Sequence, residues 1–440
     1  MSAPTEGSRT GAKPFSPRQA ERYLLSLELF GMRFGLDRMR RLTTALGSPQ
    51  ERFDSIHVVG TNGKSSTARM IAAILHAHGL RAGAYLSPHL VSFAERVRVA
   101  ERDLDEDVFA AAVGRSAHAA TLVDRTLAPD DHVTQFEALT AAALDELARQ
   151  QVDVAVIEAG LGGRYDATNV IPSRVQVLTN VGLEHTRWLG PTILDIAREK
   201  LAVVGEGGVL VVGPDLAPDA LAVAQETAER QGARVVTADG PGEVPRRAVG
   251  RFQRRNFALA RAAAQALLEA RGAPLREPAV KDAASWVAIP GRLEQIDADP
   301  PTLLDGAHNP AGMAALVESL PELIDTRPLS AVVAILDDKD AAAMLALLLP
   351  CCQQVVFTAA SSPRALSPAT LQSLAGQLAG VEGPPAEGRG EPPELLIEPR
   401  PARALARAQN WAAERGGVVL ATGSIYLAAD LHRARAGRRR

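Results

Sequence analysis

The segment SIHVVGTNGKSST, Ser55 to Thr67, constrains the chain more than any other part of it. Ile56, Val58 and Val59 have the pattern of a buried strand. The apolar run stops at Gly60 and passes through Gly63-Lys64-Ser65. Met70, Ile71, Ile74 and Leu75 then follow at helical spacing. A strand, Gly-rich loop and helix start of this kind turns backbone N–H groups toward phosphate oxygens, while Lys64 supplies a point charge and Ser65 or Ser66 a hydroxyl near a magnesium ion. The common nucleotide-binding pattern puts about four residues between its first glycine and Gly-Lys. Here only Thr61 and Asn62 separate Gly60 from Gly63, so an ordinary kinase or GTPase is a poor fit. A turn that merely punctuates the chain would not place Lys and Ser in register.

At 440 residues the chain exceeds one ordinary core, and at least two domains are expected. No apolar stretch reaches membrane-spanning length, and MSAPTEGSRTGAKP lacks the apolar core of a signal peptide. The expectation is a soluble, cytoplasmic protein with no membrane partner. The two cysteines, Cys351 and Cys352, are adjacent, which suits neither a disulfide framework nor a zinc site, and they read as packing residues. A net charge of −3 argues against a nucleic-acid partner, and the basic tail from His432 to Arg440 reads as a solvated terminus.

Residues 1–16 are small and polar and are expected to be disordered. Arg18 to Leu46 reads as helices, interrupted at Phe30-Gly31 and Phe34-Gly35. Strands and helices then alternate: strands at 83–86, 152–157, 175–178 and 209–212, helices at 105–119, 136–150, 193–203 and 256–269. The helical grammar breaks near Ile289-Pro290-Gly291-Arg292. Further strands are expected at 302–304, 331–335, 354–357, 394–397 and 418–421, with a mobile Gly/Pro/Glu-rich loop over 381–393. The fold class is α/β: an N-terminal P-loop-type ATPase domain (17–289) with a parallel-rich sheet, and a smaller Rossmann-like α/β domain (290–440).

Ligands of open parallel sheets bind at the carboxyl ends of the strands. Several strands here run into polar turns: Ser87-Pro88-His89, Glu158 to Arg164, Thr179-Asn180, and Asp305-Gly306-Ala307-His308-Asn309-Pro310. Glu158 is placed to hold magnesium, which prefers hard oxygen ligands and shares them with nucleotide phosphates. His185 reads equally well as a general base or as a turn histidine. Lys200, in a helical stretch, reads by default as a surface lysine.

GTNGKSST, SPHL with ERVRV, Thr134-Gln135-Phe136-Glu137, the pattern ExGLGGRxDATN (Glu158 to Asn169) and EHTRWLG occur in the order seen in folylpolyglutamate and dihydrofolate synthases. So do Glu199-Lys200, PGRLE, DGAHNP, DKD and TGSIYL. From about Tyr23 to Leu427 the chain resembles that family, within the wider group of Mur-type ligases. The resemblance implies an ATP-dependent ligase that joins L-glutamate to dihydropteroate or to a folate. It assigns phosphate and nucleotide contacts to Thr61, Asn62, Gly63, Lys64, Ser65, Asn256, Arg292 and Asp305. It places two magnesium ions on Ser87, Glu158 and His185, and the pterin substrate on Thr134, Gln135, Phe136, Glu137, Tyr165, Asp166 and Ala167. It makes Lys200 a carbamylated lysine, with Lys64, Lys200 and His185 as the catalytic set. A monomer is expected.

Five positions depart from the family pattern: Ser65 stands for a frequent Gly, Glu184 for Asp, Leu201-Ala202 for Ala-Gly, and Phe257 for a small residue. Three other readings stay open at this point. One is a synthase that only extends folates, another a muramyl-type ligase, against which ExGLGGRxDATN and TQFE speak, and the third an ATP-dependent switch without ligase chemistry.

Overall fold

The computed structural model describes residues 14–28, 35–238, 246–379 and 392–438. They form two α/β units, each built on its own sheet. The first sheet contains β1 (Asp54–Val59), β2 (Ala82–Tyr85), β3 (Val97–Val99), β4 (Arg102–Asp103), β5 (Val154–Glu158), β6 (Val175–Leu178), β7 (Val209–Val212) and β8 (Arg234–Thr237). Their spatial order is β4-β3-β2-β5-β1-β6-β7-β8, parallel except for the β2-β3-β4 edge. Because β1 lies between β5 and β6, the loops leaving the carboxyl ends of these three strands meet at one place.

Helices cover both faces, which is why the central strands are buried throughout rather than alternating in polarity. Helix Lys64–Ala77 packs against the Ala-rich helix Arg251–Ala270 and against Glu277–Trp286. Ala260, Ala263 and Ala264 let those backbones approach closely, while Ile71, Ile74 and Leu75 are fully buried and stabilise the face by about 2 kcal/mol each. Helices Glu106–Asp124 and Gln135–Arg149 cover the opposite face.

The second sheet holds β9 (Glu294–Ala298), β10 (Pro301–Leu304), β11 (Leu329–Val333), β12 (Gln354–Phe357), β13 (Glu394–Ile397) and β14 (Val418–Thr422). Its order is β13-β12-β11-β14-β10-β9, and only β9 is antiparallel.

The strands absent from the sequence reading are β3, β4, β8 and β9, all at or next to a sheet edge. β4 has two exposed charged residues, and Gln295, Asp297 and Ala298 of β9 face solvent, so neither has an apolar signature. The second sheet accordingly starts at Glu294 and not at Thr302. The helix expected from Asn256 begins at Arg251, because a first turn of arginines hides the start of the apolar stripe. The expectations for residues 1–13, Phe30, Gly31, Phe34, 381–391 and the last two arginines fall outside the described residues. Among those described, no helix is long and apolar enough to cross a membrane.

Candidate active site

The loop after β1 is fixed by sterics and by a clamp. Gly60 has φ +149°, and a Cβ there would lie 1.9 Å from Thr179 Oγ1. Gly63, at φ +82°, would drive one to 2.5 Å from Asn256 Oδ1. Neither position accepts a side chain without moving the other wall. Thr179 and Asn180, at the end of β6, hold the loop from below. Thr179 Oγ1 donates to Asn62 O at 2.6 Å, and the Asn62 N–H donates to Asn180 Oδ1 at 2.9 Å. Gly63 caps the helix beginning at Lys64 without a side-chain hydrogen bond, which leaves the first-turn N–H groups for an anion.

Around this loop lies a cleft of about 470 Å³ walled by both units. Thr61, Asn62, Gly63, Lys64, Ser65, Ser87, Glu158, His185, Lys200, Asn256, Arg292 and Asp305 all line it. Glu158, at the end of β5 and 1% exposed, accepts from Ser65 Oγ at 2.9 Å and from the Ser87 N–H at 2.9 Å. Burial pushes its pKa up, opposed by the charge of Lys64 and by those two hydrogen bonds. Asp305 is likewise buried and accepts from the N–H groups of Leu293 and Ala307, at 2.9 and 2.7 Å.

Lys200 is not a surface residue. It is 4% exposed on the last turn of helix Ile193–Leu201, and its ammonium donates to Gly60 O at 2.8 Å. Lys64 Nζ reaches the same carbonyl at 3.1 Å. Burial, and then the charge of Lys64, pull the Lys200 pKa down to about 7. The default reading failed because the helical pattern alone does not reveal that Gly163 packs against the backbone of Glu199 and Lys200, sealing that turn.

His185 stands at φ +51° and caps the short helix Thr186–Leu189. Its pKa is lowered by burial against the pull of Glu184. Glu184 Oε1 lies 3.7 Å from Nε2 of His185, 3.7 Å from Nε2 of His308 and 3.9 Å from Lys339 Nζ. Burial would raise the Glu184 pKa, but His308, His185 and Lys64 hold it well below the usual carboxylate range. Glu184 therefore joins the first unit to His308 and Lys339 of the second. Sequence reasoning noted it only as a departure, although DGAHNP and DKD already carried both partners.

A second inter-unit contact is a reciprocal amide pair: Asn62 Nδ2 donates to Asn309 Oδ1 at 3.3 Å, and Asn309 Nδ2 donates to Asn62 Oδ1 at 3.1 Å. A third is an ionic network in which Arg251 and Arg254 each donate to Glu322 at 2.8 Å and Arg255 donates to Glu318 at 2.6 Å.

The pterin-substrate set lies elsewhere and is bound into the fold. Thr134 and Glu137 form a capping box for helix Gln135–Arg149, and Glu137 also accepts from Arg38 Nε at 3.1 Å. Gln135 Nε2 donates to Leu24 O at 2.8 Å. Asp166 is buried and accepts from the N–H groups of Leu161 and Thr168, at 2.8 and 3.0 Å, which closes the turn after β5. Ala167 is a core residue and Tyr165 is exposed. None of the set lines the cleft itself, but the Phe136 ring lies behind Gly160 of the cleft wall, where a Cβ would be 2.5 Å from the ring.

Residues 58–239 match the Mur ligase middle domain and residues 291–425 the Mur ligase glutamate ligase domain. The chain is 34% identical to the dihydrofolate synthase/folylpolyglutamate synthase of Mycobacterium tuberculosis, over 86% of each chain. Its structure superposes on M. tuberculosis folylpolyglutamate synthase complexed with ADP at a TM-score of 0.84, with 33% identity, covering 96% of this chain and 98% of that one. For E. coli FolC in complex with DHPP and ADP the TM-score is 0.81 and the identity 28%, covering 98% and 99%.

Proposed function

Since the chain belongs to the dihydrofolate synthase/folylpolyglutamate synthase family of Mur-type ligases, we propose that it adds L-glutamate both to dihydropteroate and to folates, at the expense of ATP. The observation that carries the ligase chemistry is the convergence of Lys64, Lys200 and Glu158 on one loop inside a cleft that both units wall. We take the units as 17–289 and 290–440, and the enzyme as a cytoplasmic monomer.

A carboxylate is a poor electrophile, so the acid must first become an acyl phosphate by attack on the γ-phosphate of ATP. The amine of glutamate then displaces phosphate to form the amide. The loop N–H groups and Lys64 hold the phosphates and place positive charge where it is needed as the phosphoryl group moves. Asn256, which stands against Gly63, and Phe252 line the cleft and are assigned to the base, and Arg292 reaches the cleft from the second unit.

One carboxylate with adjacent hydroxyls is too few ligands to hold a cation alone, but it fits magnesium shared with nucleotide phosphates, with Ser87 and Glu158 at one ion and His185 at a second. Such ions would neutralise the phosphate oxygens during transfer. An amine with a pKa near 7 is about half uncharged at neutral pH, and its neutral form can attack carbon dioxide, forming an N–C bond and releasing a proton; we assign Lys200 as that carbamate. Glutamate enters as an ammonium and must lose a proton before attack. His185, kept neutral by burial, has a ring lone pair free for the second ion and is therefore not the group assigned to take that proton.

The test is ADP release with dihydropteroate and tetrahydrofolate supplied separately, each with glutamate and ATP. Glutamate-dependent release is expected with both. Release with tetrahydrofolate alone would reduce the reading to folate extension, and release with neither would refute it. Replacing Phe136 by Ala should impair dihydropteroate use more than tetrahydrofolate use.

A further inference from the structure

Arg96 is a largely desolvated cation that, among the described residues, has no carboxylate within ion-pair distance. The β2-β3 ladder continues past Tyr85 and Val97 through the Leu86 N–H to Arg96 O, at 2.8 Å, which places Arg96 beside Ser87 at the carboxyl end of β2. Its Nε donates to Nδ1 of His89 at 3.0 Å, its guanidinium lies 5.3 Å from the Phe93 ring centroid, and Tyr85 lies close by. His89 in turn packs on Phe93 at 4.3 Å between centroids. On the other side of Tyr85 stands Phe136, at 6.2 Å, which reaches Gly160 at the cleft wall. Its immediate contacts are aromatic rings and an imidazole.

The carboxylate that acts most on Arg96 is Glu158, but both of its oxygens are already engaged, by the Ser65 hydroxyl and the Ser87 N–H. Arg38, another deeply set arginine of this unit, has Glu137 and Asp131 at 3.1 and 3.0 Å, and its pKa is raised. Burial acts in the opposite direction on Arg96 and lowers its pKa, while part of the side chain remains accessible. A desolvated guanidinium costs several kcal/mol unless an anion meets it. One that stays reachable, among aromatic rings and beside a catalytic strand end, can receive that anion from a ligand.

We infer that Arg96 receives the aromatic carboxylate of the acid substrate, with Phe93 and Phe136 flanking the approach, and so positions that carboxylate beside Glu158 for phosphorylation. The inference rests on the ligase reading. A planar guanidinium suits a carboxylate because two parallel N–H groups fix its plane as well as its position.

The test compares binding of 7,8-dihydropteroate with that of the anilinomethyl-dihydropterin lacking only the carboxyl group, with ADP present, for the wild type and for R96Q and R96K. The wild type should prefer the carboxylate by about tenfold or more. R96Q should lose most of that preference while keeping its affinity for ADP and its melting temperature, and R96K should keep part of it. An unchanged preference in a folded R96Q overturns the assignment. If R96Q does not fold, an unchanged preference in R96K overturns it and a reduced one supports it. A wild type that binds dihydropteroate but shows no glutamate-dependent ADP release would defeat the ligase reading, while the carboxylate preference would still decide the role of Arg96.

Discussion

At the scale of single residues, the site depends on charges that the fold keeps partly desolvated. Lys200 would titrate at about 10.4 in the unfolded chain, but burial and Lys64 bring it down to about 7 in the folded one. Between those values the unfolded state holds a proton that the folded state has released, so stability rises with pH, by at most about 1.4 kcal/mol per unit. Below pH 7 the lysine is charged in both states and its burial penalty is complete and constant. In buffers freed of carbon dioxide, Lys200→Met should therefore melt above the wild type by more at pH 7 than at pH 9. A difference that stays level across this range would show that Lys200 does not titrate there. The family motifs located this lysine. Its burial could not be read from the sequence, because it depends on Gly163, distant in the chain, packing on the turn that bears it.

At the scale of elements, the loop between β1 and the helix at Lys64 was legible because a strand, two glycines and a lysine in register leave few alternatives. The clamp that holds it was not. Thr179 and Asn180 look like ordinary turn residues until β6 is known to lie next to β1. The same holds for TQFE: the motif was visible, but its Thr and Glu cap a helix and bind Arg38, and only the topology separates those roles from contact with a ligand. Gly63→Ala combines a left-handed backbone with a close approach to Asn256, so it should lower ATP affinity at least tenfold while costing about 1 to 2 kcal/mol of stability. Isothermal titration with a non-hydrolysable ATP analogue, together with a melting curve, checks both. Normal affinity would mean that Asn256 can yield without consequence for the nucleotide.

At the scale of the whole molecule, the two units meet through contacts of different kinds. The arginines of helix Arg251–Ala270 pair with Glu318 and Glu322 in an exposed network that salt will screen. Arg255 also lines the cleft, so this network connects the unit interface to the site proposed for ATP. Raising salt from about 0.05 to about 0.5 M should increase the KM for ATP in the wild type, and by less in a Glu318→Gln, Glu322→Gln double variant. Equal salt responses would remove the network from any part in closure. The Asn62–Asn309 amide pair is uncharged and indifferent to salt, and it has a chemical consequence of another sort. Asn62 precedes Gly63, and a glycine N–H meets no side-chain hindrance in attacking the preceding amide carbon, so the loop holds a step prone to deamidation. Held by Asn309, that amide cannot easily turn toward the attacking nitrogen. Enzyme stored with nucleotide that keeps the units together should thus accumulate isoaspartate at this step more slowly than nucleotide-free enzyme, and Asn309→Ala should abolish the difference. Isoaspartate-specific labelling over weeks of storage measures it, and equal rates in all three samples would show that the loop's shelf life does not depend on its partner.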